Sequence, residues 1–431
     1  MRRPVASPLL SRWALDPATV FLNHGSFGAC PRVVLAAQAA LRTELEANPV
    51  ELLGRGLEAR FAAVRERLAG FVGAAADDLA LVPNATHAIA TVLRSIPLAP
   101  GDEVVVTDHE YRAAVNAVVA AADAAGARVV TAAIPLPLGD DGPELIEAAL
   151  LGALSERTRL VVISHVTSPT ALRLPLERIV PALERSGVPV LVDGAHGPGM
   201  LPLALDALGA SWYAGNLHKW VCAPKGAGFL HVRRDRQEGI RPLAISHGAS
   251  DRRPGRSSFR KEFDWTGTAD PTPWLAVPAA LDAIAALEPG GWPAVMERNA
   301  ALARRGRALV LAALGAAFGE PWGRPVAPDA MLGSMAAIVL PEPPAGGRGR
   351  GGDPVTHGED PLAARLRERH SIEIPVFRWP PEPDGPLAST GLGPHRIVRL
   401  SAHLHDHEDQ YRYLGEALAA ELAAEGVPPG A

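Results

Sequence analysis

Between residues 79 and 232 the chain alternates short apolar runs with longer segments of helical spacing, and this alternation leaves few folds open. The runs fall at 79–82, 103–107, 128–134, 160–163, 188–193, 212–214 and 229–232. Unbroken apolar runs of this length read as strands buried on both faces. Strand, helix, strand repeats of this kind build an α/β fold with a mostly parallel sheet and helices on both sides. Such sheets bind ligands beyond the C-terminal ends of their strands. Asn84, Thr86, Tyr111, Ser168, Asp193 and Lys219 all follow such ends. The pattern therefore predicts that they meet at one site.

The segment 211–232, SWYAGNLHKWVCAPKGAGFLHV, places Asn216, Leu217, His218 and Lys219 between two apolar strands. Burying an ammonium group is costly. Desolvation lowers its pKa and frees a neutral amine, as a Schiff-base lysine requires. Taken alone, a lysine here is more often a surface residue of a hairpin loop. Upstream, LVDGAHGPG at 191–199 ends a strand in Asp193, with His196 three residues later. At 79–96 a strand runs through Pro83, Asn84, Ala85 and Thr86 into a helix. Small polar residues there are either a plain N-cap or a phosphate cradle of exposed N–H groups. Tyr111 is placed to stack on a flat ring or simply to pack. FLNHGSFGACP at 21–31 is a tight loop, either a plain turn or a cover for the site.

Hydrophobic residues make up 48% and charged residues 21% of 431 residues, enough for a sizeable core in two or three domains. The net charge of −5 gives no reason to expect nucleic acid. Cys30 and Cys222 show no metal or redox spacing, which suits a reducing cytoplasm. No signal peptide and no membrane span are expected. From Trp292 the pattern changes to a smaller α+β unit with strands at 335–340, 372–377 and 397–400. The expected division is an arm at 1–20, a large domain at 21–289 and a small one at 290–431, with a low-complexity insertion at about 341–360. His403, His405 and His407 alternate, but no acid or cysteine partner has metal-site spacing. The expectation is that Asp406 caps the last helix and the histidines are solvated.

LNHGSFG, NAT, DHEY, SHVTSPT, DGAHGPGM, YAGNLHKW, PKGAGFL, WTGTADPTPWLAVP and VRLSAH occur in that order. Over about 21–418 this series resembles the class V aminotransferases of the pyridoxal phosphate (PLP) fold-type I superfamily, and within them the isopenicillin N epimerase-like members. The resemblance implies a large domain with a mostly parallel seven-stranded sheet, a small α+β C-terminal domain, PLP as cofactor and a homodimer with shared sites. It implies that Lys219 is the Schiff-base lysine and moves the Cα proton, that Asp193 pairs with the pyridine nitrogen and that Tyr111 stacks on the ring. It puts His196 and Ser168 near the phenolic oxygen. Asn84, the Ala85 backbone, Thr86, Asn216 and His218 would hold the phosphate, completed by Gly267 and Thr268 of a neighbouring subunit. Arg399 would clamp the substrate α-carboxylate, a surface strand position being the alternative. His24, Ser26 and His247 are the other expected substrate contacts.

His24 and His247 depart from the epimerase pattern of threonine and an aromatic, so the epimerase's own substrate does not carry over. The loop before Arg399 contains no cysteine, which argues against a desulfurase. Cys222 should point away from the substrate. The expected reaction is epimerisation of a bulky or conjugated α-amino acid in specialised metabolism such as antibiotic biosynthesis. The alternatives are β-elimination from an S-conjugated cysteine, then transamination or oxidative deamination. A non-catalytic PLP-binding regulator would need a DNA-binding unit, for which the 20 residues before the first motif leave little room.

Overall fold

The computed structural model describes residues 4–320, 322–341, 360–379 and 395–429. Its strands, in chain order, are β1 (Val20–Phe21), β2 (Leu79–Val82), β3 (Glu103–Thr107), β4 (Arg128–Ala132), β5 (Thr158–Ser164), β6 (Val190–Gly194), β7 (Trp212–Asn216), β8 (Gly228–Val232), β9 (Met335–Leu340), β10 (Ile372–Glu373), β11 (Val376–Trp379) and β12 (His395–Ser401). Seven of them form one sheet in the order β2-β8-β7-β6-β5-β3-β4. Only β8 runs against its neighbours. Val104, Val105 and Val106, or Leu191 and Val192, are buried whichever face they point to. That is why these strands read as unbroken apolar runs. One face packs on Phe61, Leu68, Leu176 and Ile179. The other packs on Ile89, Val92, Val115 and Val118.

A second, antiparallel sheet has the order β11-β12-β9. The helices Gly291–Phe318, Pro361–His370 and Glu408–Ala424 cover it. Val310, Leu314, Ile338, Val398 and Leu418 share its core. The single strand expected at 372–377 is two strands. Proline has no N–H to donate, and at Pro375 the chain leaves one pairing for another. β10 pairs in parallel with β1, while β11 joins β12. Two short helices, Thr272–Leu275 and Val277–Ala285, follow the large sheet's last strand and precede helix Gly291–Phe318. Most of the low-complexity insertion lies outside the described residues.

The C-terminal histidines overturn their expectation. Helix Glu408–Ala424 is capped by His407, whose ring accepts the Asp409 N–H while Gln410 reaches back to the His407 N–H. His403, His405 and Asp406 are buried instead. Trp13 lies edge-on against both rings. A covering element almost four hundred residues away turns an apparently solvated polar run into core.

Candidate active site

Lys219 lies just past the end of β7, in the connection to β8. Its Nζ is 3.0 Å from Nε2 of His196. Nδ1 of His196 accepts the Trp220 indole N–H at 3.2 Å. An indole N–H only donates, so neutral His196 carries its proton on Nε2. Burial, then Lys219, holds His196 well below the usual histidine range and keeps it neutral. An ammonium could not accept from that N–H, so the contact requires Lys219 as a free amine. Burial, then the Arg399 guanidinium, pulls Lys219 down to about 7 against the opposing pull of Asp193. Asp193, at the end of β6, accepts the Ala195 N–H at 3.0 Å and is raised by its burial.

A cavity of about 310 Å³ opens in front of these groups. Asn84, Thr86, Tyr111, Asn216 and His218 line it with Asp193, His196 and Lys219. Asn84 caps helix Ala85–Ser95 by accepting the His87 N–H. Asn216 accepts the Ala85 N–H at 2.8 Å, which ties β7 to that helix start. His218 Nδ1 is buried with no hydrogen-bond partner among the described residues. An unsatisfied ring nitrogen beside a helix N-terminus suits an anion. The donor set thus fits PLP: a phosphate cradle at one end, a carboxylate at the other and a neutral amine between.

A second cavity of about 230 Å³ shares Ser26, Tyr111, Ser168 and Lys219 with the first. Arg399 on β12 lies at this junction, buried rather than on the surface. Its Nη1 donates to the Ser168 carbonyl at 2.7 Å and hydroxyl at 3.0 Å, and its Nη2 to Ser26 Oγ at 2.9 Å. Phe377 and Trp379 form aromatic walls.

Other expected residues lie elsewhere. His24 faces away from both cavities. It sits in the short helix His24–Phe27, and its Nε2 reaches the Lys219 carbonyl at 3.1 Å. His247 is exposed in a separate hollow with Glu58, Arg253 and Lys261. Within one chain, Gly267 and Thr268 are exposed and line neither cavity. Cys222 points behind Lys219, 3.7 Å from His24 and 3.5 Å from His403.

Sequence reasoning passed over Glu110. It lines the second cavity and accepts from Thr107 Oγ1, Ser164 N and Ser164 Oγ. Burial raises its carboxyl to about 7. Its place in DHEY, just past a strand end, is the signal that could have found it.

Gly28 joins the loop to the site. Its φ is +68°, and a Cβ would lie 2.1 Å from the His218 carbonyl oxygen. The loop therefore rests directly on the backbone of His218 and Lys219. Gly28→Ala should cost more than about 1 kcal/mol in denaturant unfolding, because both the conformation and the space exclude a side chain. An unchanged midpoint would contradict that packing.

The sequence profile of the class V aminotransferase family matches residues 20–315. The chain belongs to that family. An isopenicillin N epimerase of Amycolatopsis lactamdurans is 36% identical over 421 residues, covering 94% of this chain and 96% of the relative. A probable chloroplastic L-cysteine desulfhydrase of Arabidopsis thaliana is 30% identical over 422 residues, covering 94% and 83%. The solved structure of a cystine C–S lyase with its product cysteine persulfide is similar with a TM-score of 0.72 at 24% identity, over 93% of this chain and 97% of that one. Class V aminotransferases use PLP, and this chain is a PLP-dependent enzyme of the fold-type I architecture. Among the described residues no helix is long and apolar enough to cross a membrane.

The amine near 7 has a kinetic consequence. Capture of PLP by apoenzyme, followed by Schiff-base absorbance, should accelerate as pH rises through about 7 and level off above it. Acceleration only at the pH of an ordinary lysine would contradict a desolvated Lys219.

Proposed function

We propose that this class V enzyme epimerises the α-carbon of an amino acid with a bulky or conjugated side chain. The observation that carries the reading is the meeting of two cavities at Lys219, one fitting the cofactor and one ending in Arg399 and aromatic walls. PLP supplies an electron sink that stabilises negative charge at Cα. Lys219 would hold the cofactor through Nζ, and its amine would be the base that takes the Cα proton. Asp193 would keep the pyridine nitrogen protonated, and Tyr111 would cover the ring. His196 offers its Nε2 proton to the phenolic oxygen, with Ser168 nearby. Asn84, Ala85, Thr86, Asn216 and His218 bind the phosphate. Gly267 and Thr268 of the partner subunit complete that phosphate site, so the working unit is a homodimer. The Arg399 guanidinium, steadied by Ser26 and Ser168, receives the α-carboxylate. The walls at Phe377 and Trp379 favour a substrate larger than cysteine.

Inversion needs a proton delivered opposite Lys219. His24 does not line the pocket, which leaves Tyr111, His196 and Glu110; the Glu110 carboxyl near 7 can both give and take a proton at neutral pH. Single enantiomers of bulky amino acids in heavy water should yield the opposite enantiomer carrying α-deuterium. Glu110→Gln should slow inversion about 100-fold while α-deuterium exchange with retention persists. Loss of a thiol with ammonia would instead support a second reading, β-elimination from an S-conjugated cysteine, which the desulfhydrase relatives favour. A keto acid would mark transamination.

A further inference from the structure

The cluster behind Lys219 takes no part in the chemistry above. His24, His403, His405 and Asp406 are closed to solvent beneath Trp13 and Trp220. Three contacts run in one line. Asp406 Oδ1 meets His405 Nδ1 at 2.9 Å, and His405 Nε2 meets His24 Nδ1 at 3.1 Å. His24 Nε2 then meets the Lys219 carbonyl oxygen at 3.1 Å. The other Asp406 oxygen accepts the His403 N–H at 2.8 Å.

The protons in this line can be assigned from its ends. A carbonyl only accepts, so His24 carries a proton on Nε2. Burial, then His403 and His405, keeps His24 neutral. Its Nδ1 is therefore a lone pair, and His405 Nε2 must donate to it. His405 Nδ1 faces a carboxyl group. The Asp406–His405 pair thus holds one proton more than a carboxylate and a neutral imidazole would. It is either an imidazolium against a carboxylate or an imidazole against a carboxylic acid. Both arrangements make all three hydrogen bonds. Without the carboxyl, His405 Nδ1 and the His403 N–H both lose their partner, and the His405 ring that donates to His24 is no longer held in place.

We propose that Asp406, His405 and His24 are positioning residues, a relay that fixes the main chain of Lys219 and so the point from which Nζ reaches the cofactor. This rests on Lys219 being the Schiff-base lysine. The same cluster has the residue types of a metal site in His24, Cys222 and His403. However, the His24 and His403 rings stack 4.1 Å apart at an interplanar angle of 15°. Their nitrogen lone pairs run side by side and do not converge on one ion, and His24 Nε2 is already engaged by Lys219. Burial also pushes the Cys222 thiol far up, away from the thiolate a metal would need.

Asp406→Asn preserves the pattern of the protonated pair. Its amide N–H can donate to His405 Nδ1, and its oxygen can accept from His403. Asp406→Leu removes both. Cofactor release is read from each holoenzyme as decay of the Schiff-base absorbance after dilution into a PLP trap. Asp406→Leu and His24→Phe should each release PLP about ten-fold faster, the size of one lost buried hydrogen bond. Asp406→Asn should stay within about two-fold of wild type, since every bond is kept. Equal effects from the two Asp406 variants, or none from Asp406→Leu, would overturn the relay.

Nitrogen NMR of wild-type holoenzyme with labelled histidine tests the same assignment without any variant. It should show His24 neutral with its proton on Nε2, and a His24 protonated on Nδ1 alone would overturn the proposal. Stoichiometric zinc in the purified holoenzyme would do the same. Borohydride mapping of the wild type separates the two levels. No label on Lys219 refutes the Schiff-base reading, whereas a labelled Lys219 with indistinguishable Asp406 variants refutes only the relay.

Discussion

Lys219→Ala should abolish turnover, lowering kcat by roughly four orders of magnitude or more, because one amine serves as both cofactor anchor and proton carrier. No nearby group can replace it. Lys225 donates to the Gly28 carbonyl at 3.0 Å, and Lys261 is held by the carbonyls of Asp251 and Arg253. The phosphate cradle and Asp193 remain in the variant, so PLP should still bind but without Schiff-base absorbance. Steady-state rates and a spectrum of the variant check both halves. Retained activity would mean that the site had been placed on the wrong lysine.

Arg399→Lys should lower kcat/KM about 100-fold, because an ammonium cannot replace a guanidinium in a paired contact with a carboxylate. The two ends of the Arg399 guanidinium are fixed by Ser168 and Ser26, from different parts of the chain. A lysine at 399 would keep the positive charge but could not span both serines. Its loss should appear chiefly in KM, with a matching loss of inhibition by simple carboxylates. A fall in kcat with KM unchanged would mean that Arg399 acts on the cofactor side of Lys219 instead.

The large sheet was legible because its strands are buried on both faces, as Val104, Val105 and Val106 show. The direction of β8 was not, since hydrophobic pattern carries no sign of strand orientation. The break between β10 and β11 has a local sign in Pro375, since a residue without an N–H marks a break in pairing, but the apolar run around it masks the sign. The cluster of Asn84, Asp193, His196, Asn216 and Lys219 was legible from strand ends and motif spacing, both local properties of the chain. His24 was not. Its partner His405 is 381 residues away, and only the folded chain shows that its ring turns inward. Glu110 was hidden by its neighbour, for an aromatic ring after a strand end invites a cofactor reading and a buried acid does not. His247, Gly267 and Thr268 stand apart from Lys219 in a single chain, so any role they have in this site requires a second copy.

Borohydride reduction of the PLP-loaded protein followed by peptide mapping tests whether Lys219 is the Schiff-base lysine. The chain has only three lysines, Lys219, Lys225 and Lys261. The expected result is a pyridoxyl group on Lys219 alone, with the Schiff-base absorbance lost on reduction. A label on Lys225 or Lys261, or none at saturating PLP, would contradict it.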